Sequence, residues 1–173
     1  ARLRLGPEYE ELIARMPTRD IPVLAEPEDG LVIVYTSGTT GMPKGVLWRQ
    51  ADIFVTALGG QTQAQTGEEF DSLEPIVERA VSGRSAMRVL PSPPFMHGAA
   101  HWSAFHTFHM GGTVLLPANT HHLVADDIWS TVEREKAQAL LIVGDAFGRP
   151  LLEGLSHRKY DLSSLALLIS GGA

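Results

Sequence analysis

Short apolar runs alternate with amphipathic stretches along most of this chain. Residues 31–35, Leu-Val-Ile-Val-Tyr, are uniformly apolar and lie between Gly30 and a run of hydroxyl residues, which reads as a buried strand. Further strands are predicted at 88–90, 113–116, 139–143 and 165–169. Between them the spacing changes to helical, at 50–59, 73–81, 99–110, 126–135 and about 147–154. The helix over 99–110 is rich in aromatics and is closed by the pair Gly111 and Gly112. Near the start, Tyr9, Leu12, Ile13 and Met16 make one face of a helix over 7–16 that Pro17 ends. Residues 21–30 form a proline- and acid-rich connector, and 61–71 a polar loop. Strands alternating with helices, each strand continuous in Val, Ile and Leu, predict an α/β fold in which helices cover both faces of a parallel sheet.

The segment after the first strand narrows the chemistry. Residues 36–45 read Thr-Ser-Gly-Thr-Thr-Gly-Met-Pro-Lys-Gly. Gly38, Gly41 and Gly45 let backbone amides approach an anion without a Cβ in the way. Thr36, Ser37, Thr39 and Thr40 add short hydroxyl donors, and Lys44 adds one compact charge beside the stiffening Pro43. The ligand such a loop suits is a polyphosphate. It is not a Walker loop, because Lys44 lies between Pro43 and Gly45 where that motif requires Gly before and Ser or Thr after. Two other loops come directly after predicted strands, at 91–98 and 170–173. Ligands of parallel sheets bind beyond the carboxyl ends of the strands, so the three loops are expected to converge on one edge.

These segments resemble the signatures of the adenylate-forming enzymes, the family of acyl-CoA synthetases, firefly luciferase and the adenylation domains of nonribosomal peptide synthetases. TSGTTGMPKG is similar to the family's phosphate-binding sequence, LPSPPFMHGAA at 90–100 to its Pro-Phe-x-His-Gly segment, and ISGGA at 169–173 to its Ser-Gly-Gly-Ala segment. The resemblance runs from about Glu28 onward and implies part of the family's large N-terminal domain, cut at both ends, with residues 1–30 as helix and connector.

It also implies a reaction and a division of labour. ATP and coenzyme A are cosubstrates: a carboxylate attacks the α-phosphorus, pyrophosphate leaves, and the thiol then attacks the acyl adenylate. Thr36, Ser37, Gly38, Thr39, Thr40, Gly41 and Lys44 would hold the β- and γ-phosphates with Mg2+, while Gly171, Gly172 and Ala173 would line the acyl and adenine side. His97 would stand beside the adenylate and orient the carboxylate, with Gly98, Ala99, Trp102 and Ser103 bordering the acyl pocket. Many relatives carry a bulky aromatic where Ala99 stands, so a wide pocket for a fatty, branched or polycyclic acid is expected. The segment IVGDAFGRP at 142–150 is similar to bacterial ligases of steroid or fatty acids. The family's magnesium glutamate, ribose aspartate and mobile lysine fall downstream of these segments. The chain alone is therefore expected to be inactive and to bind ATP at best at about −4 kcal/mol, the millimolar level. An amino-acid-activating domain and a non-catalytic ATP-binding protein of the same fold are the alternatives.

Composition adds exclusions. The chain has 173 residues, 44% of them apolar, enough for one sizeable core. With 14 basic against 20 acidic side chains the net charge is −6, which argues against nucleic acid as a partner. Without cysteine there is no thiolate ligand or nucleophile, which suits a cytoplasmic protein. No apolar run approaches a membrane span. His97 and His101 have the spacing of paired metal ligands but lack the glutamate of a zinc hydrolase helix, so packing beside Trp102, Phe105 and Phe108 is the expected role of His101, His106 and His109. His121 and His122 are expected in solvent, and Asp145 as the cap of the next helix.

Overall fold

The computed structural model describes residues 6–17, 30–35, 41–60 and 72–171. In chain order these form α1 (Pro7–Arg15), β1 (Leu31–Tyr35), β2 (Gly45–Arg49), α2 (Gln50–Ala57), α3 (Glu74–Ser82), β3 (Arg88–Pro91), α4 (Gly98–His109), β4 (Thr113–Val114), α5 (Ala125–Glu135), β5 (Ala139–Ile142), α6 (Gly144–His157) and β6 (Leu167–Ser170). The polar loop predicted at 61–71 and most of the 21–30 connector lie outside the described residues.

The core sits on a four-stranded sheet of order β4-β3-β5-β6, every pairing parallel. Strand side chains alternate between faces. Leu90, Leu140 and Ile142 enter one cluster with Ile128, Trp129 and Val132 of α5 and Leu151 of α6. Val89 and Leu141 point the other way and are also buried, on the side where α4 packs against β3, β4 and β5. The predicted two-faced cover is therefore present over β3 and β5. Connectivity explains the division. From β3 the chain steps outward to β4, then back past β3 to β5 and on to β6. Right-handed crossovers in opposite directions put α4 on one face and α5 and α6 on the other. The loops leaving β3 and β5 thus depart to opposite sides, and the space between them is the crevice in which such sheets bind ligands.

One predicted strand belongs elsewhere. β1 is not buried and does not join the parallel sheet; it pairs antiparallel with β2, from Leu31 opposite Arg49 to Tyr35 opposite Gly45. In a hairpin covered on one face only, Val32 and Val34 are half-buried while Leu31, Ile33 and Tyr35 stay exposed. The glycine- and hydroxyl-rich segment is accordingly the connection of a hairpin, and only two of the three motif loops leave strands of the main sheet. Asp145 likewise does not cap. α6 begins at Gly144, before it, and the Asp145 carboxylate pairs with Arg149 one turn on, at 2.9 Å.

The end of α4 is built from close approaches. Gly111 has φ +74°, and a Cβ there would stand 2.1 Å from the Ala80 carbonyl oxygen at the end of α3. At Gly112 a Cβ would meet the Met87 carbonyl at 2.5 Å. Arg79 donates from Nη2 to the Gly59 carbonyl and from Nε to that of His109 (3.4 Å), placing its charge at the negative ends of α2 and α4. Replacing Gly111 with alanine is expected to cost about 2–5 kcal/mol, from the left-handed backbone plus overpacking. Urea unfolding of the two proteins measures it, and a loss below about 0.5 kcal/mol, the level of an ordinary surface change, would contradict the account.

Candidate active site

The turn after β3 is tight. Ser92 is tied to β5 twice, its N–H and its Oγ both donating to the Leu141 carbonyl (3.0 and 2.6 Å). The His97 N–H donates to Pro94 O at 2.8 Å, and His97 becomes the N-cap of α4. Its side chain does the capping: the Ala99 N–H donates to His97 Nδ1 at 3.2 Å. An acceptor at Nδ1 means that the neutral ring carries its proton on Nε2. The exposed imidazole therefore presents one N–H donor at the mouth of the crevice, suited to a carboxylate or phosphate oxygen. Capping thus orients the ring and leaves its donor end for a ligand.

The ends of β5 and β6 meet the same place. The Gly144 N–H donates to Ser170 Oγ (3.2 Å) and the Gly171 N–H to Ile142 O (3.1 Å). A Cβ on Gly171 would lie 3.9 Å from that of Ala99, so the start of the predicted 171–173 segment touches the first turn of α4. Two of the three predicted segments are thereby brought together. The strand that follows the third, β2, reaches α4 through a ring contact: Trp48 meets Trp102 edge to face, with centroids 6.4 Å apart and planes at 79°. Lys44, exposed, lies just before β2. Thr36, Ser37, Gly38, Thr39, Thr40, Gly172 and Ala173 lie outside the described residues.

Sequence reasoning missed Trp48 and β2. Two apolar runs flanking a segment of Gly, Ser, Thr and Pro, the second alternating through Val46 and Trp48, are a hairpin signal, although the long connection weakens it. It also missed a cavity of about 250 Å³ between the carboxyl ends of β3 and β4, walled by Pro91, Pro93, Phe95, Leu116, Leu123 and Phe147, with His121 and His122 among its lining. His97, Lys44 and Gly171 do not line it.

Of the remaining histidines of α4, His101 and His109 lie beside Phe105 as expected, His101 exposed and His109 half-buried, while His106 is half-buried near Arg79. His101 sits against Phe105 and His109 against Phe54, both edge to face. His109 donates from Nδ1 to the Leu58 carbonyl. Burial lowers the pKa of His106 below the ordinary 6.5, and the charges of Arg79 and His109 add to it. The unfolded chain then holds that proton more tightly than the folded one. Stability is accordingly full above about pH 6.5 and falls as the pH drops toward the depressed folded value. His106→Gln is expected to flatten that limb of the thermal midpoint against pH; an unchanged slope would place the acid sensitivity elsewhere.

Comparison with known proteins shows the family and the fold. The sequence model of the family described as AMP-binding enzyme matches residues 4–173. The chain is 45% identical over 166 residues to the medium-chain acyl-CoA ligase Mig of Mycobacterium avium, covering 96% of this chain and 30% of that protein. It is 38% identical over 170 residues to a medium/long-chain-fatty-acid–CoA/3-oxocholest-4-en-26-oate–CoA ligase of Mycolicibacterium smegmatis, covering 95% of this chain and 30% of the relative. The chain thus spans about 30% of the length of these curated relatives. Among solved structures, the N-terminal domain of FACL13 from Mycobacterium tuberculosis has a TM-score of 0.67 at 23% identity, over 97% of this chain and 37% of that one. A long-chain-fatty-acid-CoA ligase of Archaeoglobus fulgidus has a TM-score of 0.65 at 19% identity, over 92% and 28%. At such identities the two structures speak for the fold.

Proposed function

The chain belongs to the AMP-binding enzyme family, and we propose that it is part of the large N-terminal domain of an ATP-dependent acyl-CoA synthetase acting on medium- to long-chain or polycyclic carboxylic acids. The observation that carries this reading is the likeness to the medium-chain ligase along 96% of the chain, together with a family model whose match over residues 4–173 includes the phosphate, His97 and Gly171 segments.

In the proposed reaction a carboxylate oxygen bonds to the α-phosphorus of ATP and pyrophosphate leaves with the electron pair of the broken bond. The thiol of coenzyme A then attacks the acyl carbon and AMP departs. The contribution of the protein is positioning and charge. Lys44, with the amides and hydroxyls of residues 36–41, neutralises the charge that grows on the departing pyrophosphate. His97 donates from Nε2–H to the substrate carboxylate and holds it toward the α-phosphorus. Gly98, Ala99, Trp102 and Ser103 border the acyl group, and residues 171–173 line the acyl and adenine side. Mg2+ would travel with the triphosphate; the described residues gather no set of His, Asp or Glu fit to hold a metal, and no step is assigned to the ion. No described helix is long and apolar enough to cross a membrane, and the water-soluble cosubstrates suit a cytoplasmic setting.

The test is acid-dependent exchange of pyrophosphate into ATP by the whole protein, with a panel of linear fatty acids, steroid acids and amino acids. Exchange driven by the fatty or steroid acids is expected. Exchange with amino acids alone, or with none, would overturn the reading.

A further inference from the structure

The β1–β2 hairpin carries the Lys44 segment but is thinly attached. None of its residues is fully buried, and Leu31, Ile33, Tyr35 and Leu47 are each more than half exposed. An isolated two-stranded hairpin is at best marginally stable, so its place depends on what it leans on. Covalent continuity into α2 is one support, reinforced by the Gln50 N–H donating to the Gly30 carbonyl at 2.7 Å. The other is Trp48. On the hairpin face that also bears Val32, its half-buried indole meets Trp102 of α4 edge to face, an arrangement that suits the charge distribution of two aromatic rings.

Trp102 in turn lies beside the start of its own helix. A Cβ on Gly98 would lie 3.7 Å from its ring, one turn back and next to the His97 cap. A chain of contacts therefore runs from the strand after Lys44, through two indoles, to the turn that holds His97. Trp48 lies four residues beyond Lys44, about 13 Å of extended strand, so a shift of the indole is carried to the lysine.

We propose that Trp48 and Trp102 are a pair of positioning residues that hold the Lys44 end of the hairpin in register with the His97 end of α4. The inference rests on the adenylation reading above and adds how its phosphate side and acid side are aligned. Misplacement by about 1 Å can cost about 10²-fold in rate, which makes such a contact matter without its touching substrate.

The experiment is single-turnover formation of acyl adenylate by the whole protein at saturating magnesium-ATP and acid, for wild type, Trp48→Ala, Trp102→Ala, the double variant, and Trp48→Phe and Trp102→Phe. The rate constant reports alignment, and the amplitude counts folded sites. Each alanine variant is expected to lose about 10- to 100-fold in rate at unchanged amplitude, the double variant to lose no more than the worse single one, and the phenylalanine variants to recover most of the loss. If an alanine variant does not fold, leucine at the same positions keeps bulk without the ring and carries the same cycle. Lost amplitude at an unchanged rate would make the pair merely structural and overturn the proposal, as would losses that multiply in the double variant. A wild-type protein that forms no adenylate with any acid would instead overturn the adenylation reading on which the proposal stands.

Discussion

Replacing Lys44 by alanine is expected to slow acyl-adenylate formation by about 10²- to 10³-fold, the effect of removing ~2.7–4 kcal/mol of fixed-charge stabilisation from a transferring phosphate. The expectation has two sources. In sequence, Lys44 is the one basic residue of the segment from Thr36 to Gly45, among glycines that let amides approach an anion. In structure, it stands exposed just before β2, in the connection of a hairpin braced against α4, away from the apolar core. Charge on the pyrophosphate is greatest as it departs, so the loss should fall on the rate of adenylation more than on the affinity for the acid. Stopped-flow or quenched-flow measurement of acyl adenylate at saturating acid separates the two. Unchanged adenylation kinetics in Lys44→Ala would remove the lysine from the site. An arginine there should restore only part of the rate, because its planar fork presents its donors differently from an ammonium group.

Substituting Ala99 with phenylalanine is expected to turn the protein against bulky acids. Ala99 lies in the first turn of α4, and its Cβ is 3.9 Å from where a Gly171 side chain would begin. A ring at position 99 must enter the space between the helix start and the end of β6. In a snug pocket a methylene or two is worth about 1–3 kcal/mol, so the ratio of kcat/KM for a steroid or branched acid to that for a short linear acid should fall by about 10- to 100-fold. The backbone N–H of residue 99 still caps onto His97 Nδ1, so activity toward the short acid should survive. A ratio that does not move would put the acyl pocket elsewhere, and the cavity between β3 and β4 would be the next place to look.

Much of this molecule was legible before folding because its signals are local. Residues 89–91 and 139–142 are continuous apolar runs short enough for strands, and both are buried on two faces. α4 ends where the glycine pair said it should, since only a residue without a Cβ fits beside the Ala80 and Met87 carbonyls. The phosphate segment could be singled out because anion binding calls for particular residue types close together in sequence, and the histidine and glycine segments by their resemblance to family signatures. The ring contacts of His101 and His109 with Phe105 likewise follow from neighbours on one helix face.

What failed locally was everything that depends on a partner far along the chain. The run at 31–35 has the composition of a buried strand, and nothing within it says that its partner is residues 45–49 on a half-exposed hairpin instead of the main sheet. Asp145 is a reasonable cap by type, but the backbone turns helical one residue earlier and hands its carboxylate to Arg149. The order β4-β3-β5-β6, the use of His97 Nδ1 by its own helix, and the meeting of Trp48 with Trp102 were likewise decided in three dimensions. The physical reason is common to all of them. Periodicity and turn chemistry act over a few residues and determine which elements form and which residue types can bind phosphate. The choice of strand partner and of the face each ring meets is made by the apolar surface that remains to be buried once those elements exist, and that surface is shared among segments distant in sequence.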